Sequence, residues 1–432
     1  MPKSKTALFN HPVVLYFLAV IAAVEFIRMS LFLTFLPSFL TKLHFDTVAL
    51  GAVISANILA DNLSKGATGW LVDHKGPWPV LFAGSLLVLT GIIIIICLHQ
   101  QILILILAAI LIGLGVSPAW PAVISGTIQG VGEAKRATAI SLISVTWLAG
   151  GGLGPIIMGF LIDTRMSRFL SELRLPIVDA YKTGFALMFA AAVWGIIICL
   201  LGWFTWQRTP HIQAAIATRE KSKPRFNDIL YRLWKVKALI PGMFFQTMSL
   251  GILLPNLLPY ATGKLGLTES EYSLLLLIGG LVVVLFMIPV GRLADHWGTR
   301  GLLVSGFTLA SFSLMLLALW GNSANIWWIV ALVGMSYALI QPSWNALLAG
   351  VIPPAQRGVL MGLFMSVEGL GFGIGPIIGG LLGRIDGSEM QWLKSIGAAA
   401  PFYVSSACLG LMALVYLFYP FQQYNLEEDR LD

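Results

Sequence analysis

Glu25 and Arg28 stand three residues apart, and Asn57, Asp61 and Lys65 follow one another at intervals of four, all within two long apolar stretches. On a helix, residues three and four apart share a face, so each set would project from one side of its own helix. Carboxylates beside basic groups in apolar surroundings are where proton affinities can be moved into a working range. The chemistry on offer is therefore reversible proton binding, or recognition of a polar group by paired charges. None of the six histidines lies in the middle of an apolar run, which leaves carboxylates as the proton carriers there. A charge at mid-membrane costs ~2.5 to 3.5 kcal/mol on insertion scales, so Glu25, Arg28, Asp61 and Lys65 together amount to roughly 10 kcal/mol if they face lipid. They must face one another or a water-filled cavity. An ion pair alone would satisfy that energy; a proton or substrate site is the reading we prefer.

The elements that position these groups are membrane spans. The 432 residues are 57% hydrophobic and 11% charged, whereas a soluble chain is about a quarter charged. Apolar runs of the roughly 20 residues that cross ~30 Å of hydrocarbon as helix recur along the whole length. Backbone in lipid must satisfy its own hydrogen bonds, so runs of this length are helices. The pattern predicts twelve, at 12–40, 47–72, 79–98, 102–125, 136–162, 184–206, 238–262, 272–294, 301–321, 326–351, 357–383 and 400–420. Lys3 and Lys5 precede the first run as in a secretory signal, but that run is too long and holds Glu25 and Arg28, so it reads as a permanent span. Cys97, Cys199 and Cys408 fall in separate spans and read as small core hydrophobes, with no metal site implied. With the N-terminus inside, sixteen Lys and Arg fall in cytoplasmic segments and eight in external loops. Both termini are thus expected in the cytoplasm, and the net charge of +7 answers anionic inner-leaflet lipid, with no nucleic-acid partner.

The chain is written twice. At an offset near 221 residues, "GWLVDHKG" at 69–76 meets "GRLADHWG" at 291–298, "KRATAISL" at 135–142 meets "QRGVLMGL" at 356–363, and "GGGLGPIIMG" at 150–159 meets "GFGIGPIIGG" at 371–380. A repeat of this length is a duplicated half. Each half holds six spans, an even number, which makes the halves parallel repeats. The expected organisation is a bundle over 1–206, a polar and basic cytoplasmic linker over 207–237, and a second bundle with a short cytoplasmic tail over 238–432.

These residues resemble the major facilitator superfamily (MFS) across essentially the whole chain. Its signature GxLxDxxG stands as Gly69, Leu71, Asp73 and Gly76, and again as Gly291, Leu293, Asp295, Gly298 and Arg300. The resemblance implies an MFS fold of two pseudo-symmetric six-helix bundles that transports by rocking, with no enzymatic activity. Glycines permit close helix contact, and an Asp at a helix end can pair with a basic residue or a helix N-terminus. These positions, with Arg136 and Arg357, are therefore expected to act in gating. Gly154 and Pro155 in the fifth span and Gly375 and Pro376 in the eleventh match the glycine–proline pattern associated in this superfamily with antiporters, where packing alone is the alternative role. "GLGFG" at 369–373 lies within a helix and no GxxxxGK[ST] exists, which argues against an ATP-driven pump. The implied energy source is the proton gradient, with no cofactor.

The polar content is lopsided. The first half adds Trp120 and Trp147 to its four charges, while mid-span polarity in the second half is mostly Gln246, Asn256, Gln341 and Asn345, with Glu368 the only charge well inside. A cavity wet on one side and apolar on the other suits an amphipathic substrate, and the tryptophans could stack on a sugar or fill core. Glu25 and Arg28 one turn apart, Asp61 in the second span and Trp120 in the fourth resemble the family of proton-coupled flippases of the lipoteichoic-acid anchor glycolipid. That resemblance implies a proton-coupled pocket lined by Glu25, Arg28, Asp61 and Trp120, with Glu25 and Asp61 carrying the proton and Arg28 and Trp120 contacting substrate; from the polar and aromatic content of the spans, Asn57, Lys65, Trp147, Gln246, Gln341, Asn345 and Glu368 are the further expected substrate contacts. The expectation is a monomeric antiporter in the cell membrane, whose partners are protons, the lipid bilayer and an amphipathic substrate. Multidrug efflux is the alternative, although the fourth span lacks the arginine typical of drug antiporters. A membrane-embedded enzyme would need clustered His, Asp or Ser near an interface, and the loops offer only isolated ones.

Overall fold

The structure, a computed structural model, describes residues 12–131, 136–163, 180–208, 239–351, 357–384 and 397–418. The linker expected over 207–237 therefore lies almost wholly outside the described residues, as do 164–179 of the external stretch. Every described apolar run is a helix. In chain order they are α1 (Pro12–Met29), α2 (Leu36–Lys42), α3 (Thr47–Lys75), α4 (Pro77–Leu98), α5 (Ile102–Val116), α6 (Ala119–Val131), α7 (Arg136–Ile162) and α8 (Ala180–Gln207). The remainder are α9 (Leu239–Pro259), α10 (Glu269–Trp297), α11 (Thr299–Trp320), α12 (Ile326–Val351), α13 (Arg357–Gly383) and α14 (Ala400–Phe418). Joined where they run on from one another, eleven of these segments are long and apolar enough to cross a membrane. The remaining helix, α9, has 21 residues but carries Gln246, Asn256 and internal Pro255 and Pro259, which dilute its apolar character. Leu103, Leu285 and Ile288 stay 75%, 67% and 67% exposed, as side chains solvated by lipid should be.

Two spans depart from the straight runs expected. The first passes from α1 through a π-helical segment, Ser30–Phe35, into α2. Such π-bulges are frequent at functional sites, and this one starts two residues after Arg28. The fourth span, expected as one run over 102–125, breaks at Ser117 and Pro118 between α5 and α6. Pro118 has no N–H to continue the ladder. The break is bonded from outside: Thr68 Oγ1 on α3 lies 2.9 Å from Ser117 Oγ.

The signature segments also extend further as helix than expected. α3 continues to Lys75 and α10 to Trp297, so each is separated from the next helix by a single glycine. Gly76 has φ 83°, ψ 162° and Gly298 φ 82°, ψ 161°, a region essentially confined to glycine. The last glycine of the motif is thus a steric requirement in both halves. At its other end, α10 starts with a capping box in which Thr268 Oγ1 accepts from the Glu271 N–H at 3.2 Å and Glu271 Oε2 from the Thr268 N–H at 2.8 Å.

The described residues fall into two compact units, one drawn from Met1–Phe35 and Leu59–Ser222, the other from Leu36–Ile58 and Lys223–Asp432. In the first, α1 packs on α7, and α4 on α5 and α8. Phe17 stacks on the fully buried Trp78 with centroids 4.3 Å apart, and glycine notches seat both rings, since a Cβ at Gly126 or Gly202 would overlap them. In the second, α9 packs on α13, α10 and α11 on α12, and α14 on α11 around Phe307, Trp344, Phe402 and Tyr416. The pairing of α1 with α7 recurs as that of α9 with α13, the structural counterpart of the duplicated sequence.

Candidate functional site

α1 and α3 bring the four charges read from the sequence into one cluster. Arg28 Nη2 donates to Glu25 Oε2 at 2.7 Å and Oε1 at 3.0 Å, and Nε donates to Oε2 at 3.1 Å. Its remaining arm, Nη1, reaches Asp61 Oδ2 on α3 at 3.1 Å. Lys65, one turn further along α3, places Nζ 3.3 Å from the same Oδ2 and donates to Asn62 Oδ1 at 2.8 Å. The helical spacing drives this arrangement: Glu25 and Arg28 lie on one face of α1, and Asp61 and Lys65 on one face of α3.

Glu25 is 4% exposed and Asp61 2%, and both cations are partly buried. Two ionised carboxylates against two cations make the cluster formally neutral, the condition under which such burial is tolerable. Its oxygens are unequally used. Both oxygens of Glu25 accept from Arg28, whereas Asp61 Oδ2 takes Arg28 and Lys65 together and Asp61 Oδ1 is buried with no hydrogen-bond partner among the described residues. A lone pair without a donor is where a proton can bind without first breaking a bond.

The aromatic residues of the same unit also meet. Trp120, two residues past the α5–α6 break, and Trp147 on α7 form an edge-to-face pair with centroids 6.2 Å apart and planes at 69°. Both are half-buried, so each keeps area for a flat ligand. Asn57 is buried on α3, in the part of that helix that groups with the second unit.

In the second unit Gln246 is buried and its Oε1 has no partner among the described residues, Gln341 is half-buried, and Asn345 is exposed. Glu368 Oε1 accepts from the indole Nε1 of Trp344 at 2.7 Å. Sequence reasoning missed this partner: the two residues lie on different helices and no spacing signal links them. It also missed Asn62, although its i,i+3 relation to Lys65 was a usable signal.

Among the described residues, no signature residue hydrogen-bonds or pairs with the cluster. Gly69 and Gly291 sit within helices with little or nothing near a would-be Cβ, and Asp73 is exposed. Arg300 donates to the carbonyls of Tyr416 and Leu417, capping the C-terminal end of α14. The side chains of Arg136, Asp295 and Arg357 lie outside the described residues. The glycine–proline motifs are at helix contacts: a Cβ at Gly154 would meet Phe26 O at 2.6 Å, and one at Gly375 would meet Gly251 Cα at 2.7 Å. Thr34 Oγ1 donates to Pro155 O at 3.4 Å. A Cβ at Gly51 would overlap Pro376 O, and Thr47 Oγ1 donates to Gly380 O at 2.9 Å.

The family model described as Major Facilitator Superfamily matches residues 18–248 and 239–429. Over 417 residues the chain is 26% identical to the proton-coupled antiporter flippase LtaA of Staphylococcus haemolyticus (strain JCSC1435), covering 96% of this chain and 95% of that protein. It is also 26% identical over 376 residues to the protein of that name from Staphylococcus aureus (strain MSSA476), covering 86% and 88%. Among solved structures it resembles a bacterial homolog of the human lysosomal transporter Spinster in an inward-facing and occupied conformation, with TM-score 0.72, 16% identity and 98% of each chain covered. It is similar also to a D-xylose-proton symporter, with TM-score 0.72, 13% identity and coverage of 96% and 99%.

Proposed function

This chain belongs to the Major Facilitator Superfamily and is a multi-pass membrane transporter, and on that premise we propose that it is a proton-driven antiporter that moves an amphipathic glycolipid across the cell membrane. The observation that carries this reading is the buried cluster of Glu25, Arg28, Asp61 and Lys65. The names of the relatives, proton-coupled antiporter flippases, support it.

In this mechanism the proton binds at Asp61 Oδ1. Protonation removes the charge that holds Arg28 Nη1 and Lys65 Nζ, and the cluster passes from neutral to net positive. Glu25 keeps its grip on the other side of the guanidinium throughout and orients Arg28 toward the substrate head. A substrate hydroxyl that donates to Asp61 Oδ1 takes the same lone pair as the proton, so each ligand lowers affinity for the other, which is the linkage an exchanger requires. Trp120 and Trp147 provide faces on which a sugar can stack. Lys65, Asn57, Gln246, Gln341, Asn345 and Glu368 are further substrate contacts in this reading.

The two signature turns, with Arg136, Arg300 and Arg357, serve as the cytoplasmic gate between bundles formed by 1–206 and 238–432, both termini facing the cytoplasm. The chain works as a monomer. A second reading, efflux of flat hydrophobic drugs, draws on the aromatic pair alone; the exposed part of Arg28 and Lys65 favours a hydroxyl-rich or anionic head over a cation.

Reconstituted vesicles separate the two readings. A fluorescent diglucosyl lipid is expected to translocate under an imposed pH gradient and not without it, while a panel of cationic dyes stays put. Dye counterflow with an immobile lipid would place drug efflux first.

A further inference from the structure

Glu368 is a carboxyl in the interior of α13, more than two turns from either end of that helix, and it has no ion-pair partner among the described residues. The described ion pairs all belong to the α1–α3 cluster. Among the described residues no charged side chain interacts with it. α9, packed along α13, offers no acidic or basic side chain over its whole length. The titratable groups that interact electrostatically with Glu368 are phenols, Tyr337 on α12 and Tyr416 on α14; Tyr403 and Cys408 are the others on α14.

Its one hydrogen bond among the described residues is supplied by Trp344, whose ring is 2% exposed in the core of the second unit and lies 6.1 Å from Tyr416. A packed indole is a fixed donor. It holds Oε1 in place whether the group is carboxylate or carboxylic acid, because the acid's carbonyl oxygen still accepts. Oε2 has no partner among the described residues, and the residue is only partly buried. The group is thus anchored through one oxygen and open at the other, without a cation to hold it ionised in a membrane interior.

We propose that Glu368 is a second proton-binding site of this transporter, taking its proton on Oε2 independently of the Arg28 cluster, with Trp344 as the residue that positions it. This rests on the chain being proton-driven, and it deepens that reading by assigning a titrating group to each half. The two sites differ in kind. Protonating Asp61 changes a salt-bridged cluster from neutral to positive, while protonating Glu368 discharges a lone carboxylate.

The test reads proton binding directly, apart from transport. In full-length protein labelled with ¹⁵N-tryptophan, in nanodiscs, the indole cross-peak of Trp344 is assigned by its loss in Trp344→Phe. That peak is expected to move with pH in the wild type, to move also in Asp61→Asn, and to stay fixed in Glu368→Gln, whose amide oxygen keeps the hydrogen bond. Infrared difference spectra should lose one protonated-carboxyl band in the same variant. A Trp344 peak fixed across the titration, or one that moves equally in Glu368→Gln, overturns the assignment. Because Asp61→Asn enters only as a comparison, failure here leaves the coupling role of Asp61 to its own experiments.

Discussion

At the scale of single residues, the cluster exists because charge in the membrane must be compensated, and Arg28 provides most of that compensation. Its guanidinium binds Glu25 through two nitrogens and Asp61 through a third. Replacing one partner of a buried pair leaves an uncompensated charge, worth about 3 to 5 kcal/mol. Arg28→Gln is therefore expected to lower thermal stability in detergent by about that amount, and Glu25→Gln added to it should recover part of the loss. A double variant whose loss equals the sum of the losses of Arg28→Gln and Glu25→Gln taken singly would mean that the pair is not coupled. That these residues would meet was legible in the sequence, from i,i+3 and i,i+4 spacing joined to the cost of facing lipid. Which oxygen is left open was not legible. The orphaned Oδ1 of Asp61 and the indole on Glu368 depend on how helices distant in sequence pack.

At the scale of elements, glycine decides which helices approach. At Gly154 and Gly375 backbone atoms of α1 and α9 occupy the space a side chain would need. Gly375→Val should cost about 1 to 3 kcal/mol by overpacking, whereas Gly152→Ala, with nothing within 4 Å of its Cβ, should gain about 0.5 to 1 kcal/mol from helix propensity. Thermal melts of the two variants compare them; equal shifts would remove the packing role. Thr268→Ala, which opens the capping box of α10, should cost ~1 kcal/mol. The break at Ser117 and Pro118 and the π-segment after Met29 were not legible, because hydropathy runs unbroken through both. Pro118 and Pro121 were visible, but prolines also occur within continuous helices such as α7 and α13, so a proline alone does not locate a break.

At the scale of the whole molecule, duplication made the architecture readable. Two copies of one motif at a common offset located equivalent elements, and their last glycines adopt the same backbone conformation to within 1° in φ and ψ. A side chain there costs about 1 to 3 kcal/mol. Gly76→Ala and Gly298→Ala should each destabilise by that amount, and their combination by the sum, as changes in different units; a neutral effect at either turn would show that the conformation is not required. What duplication could not supply is the asymmetry. Among the described mid-span residues, the first half carries paired charges and the second Glu368 without an ion-pair partner.

Coupling through Asp61 is the central claim, and proton movement tested against substrate movement reaches it most directly. In proteoliposomes loaded with a pH-sensitive dye and a diglucosyl lipid, the wild type should take up protons only when the lipid is present to exchange. Asp61→Asn should lose both proton flux and gradient-driven lipid movement while still binding the lipid. Undiminished exchange in Asp61→Asn and Glu25→Gln combined would contradict the account.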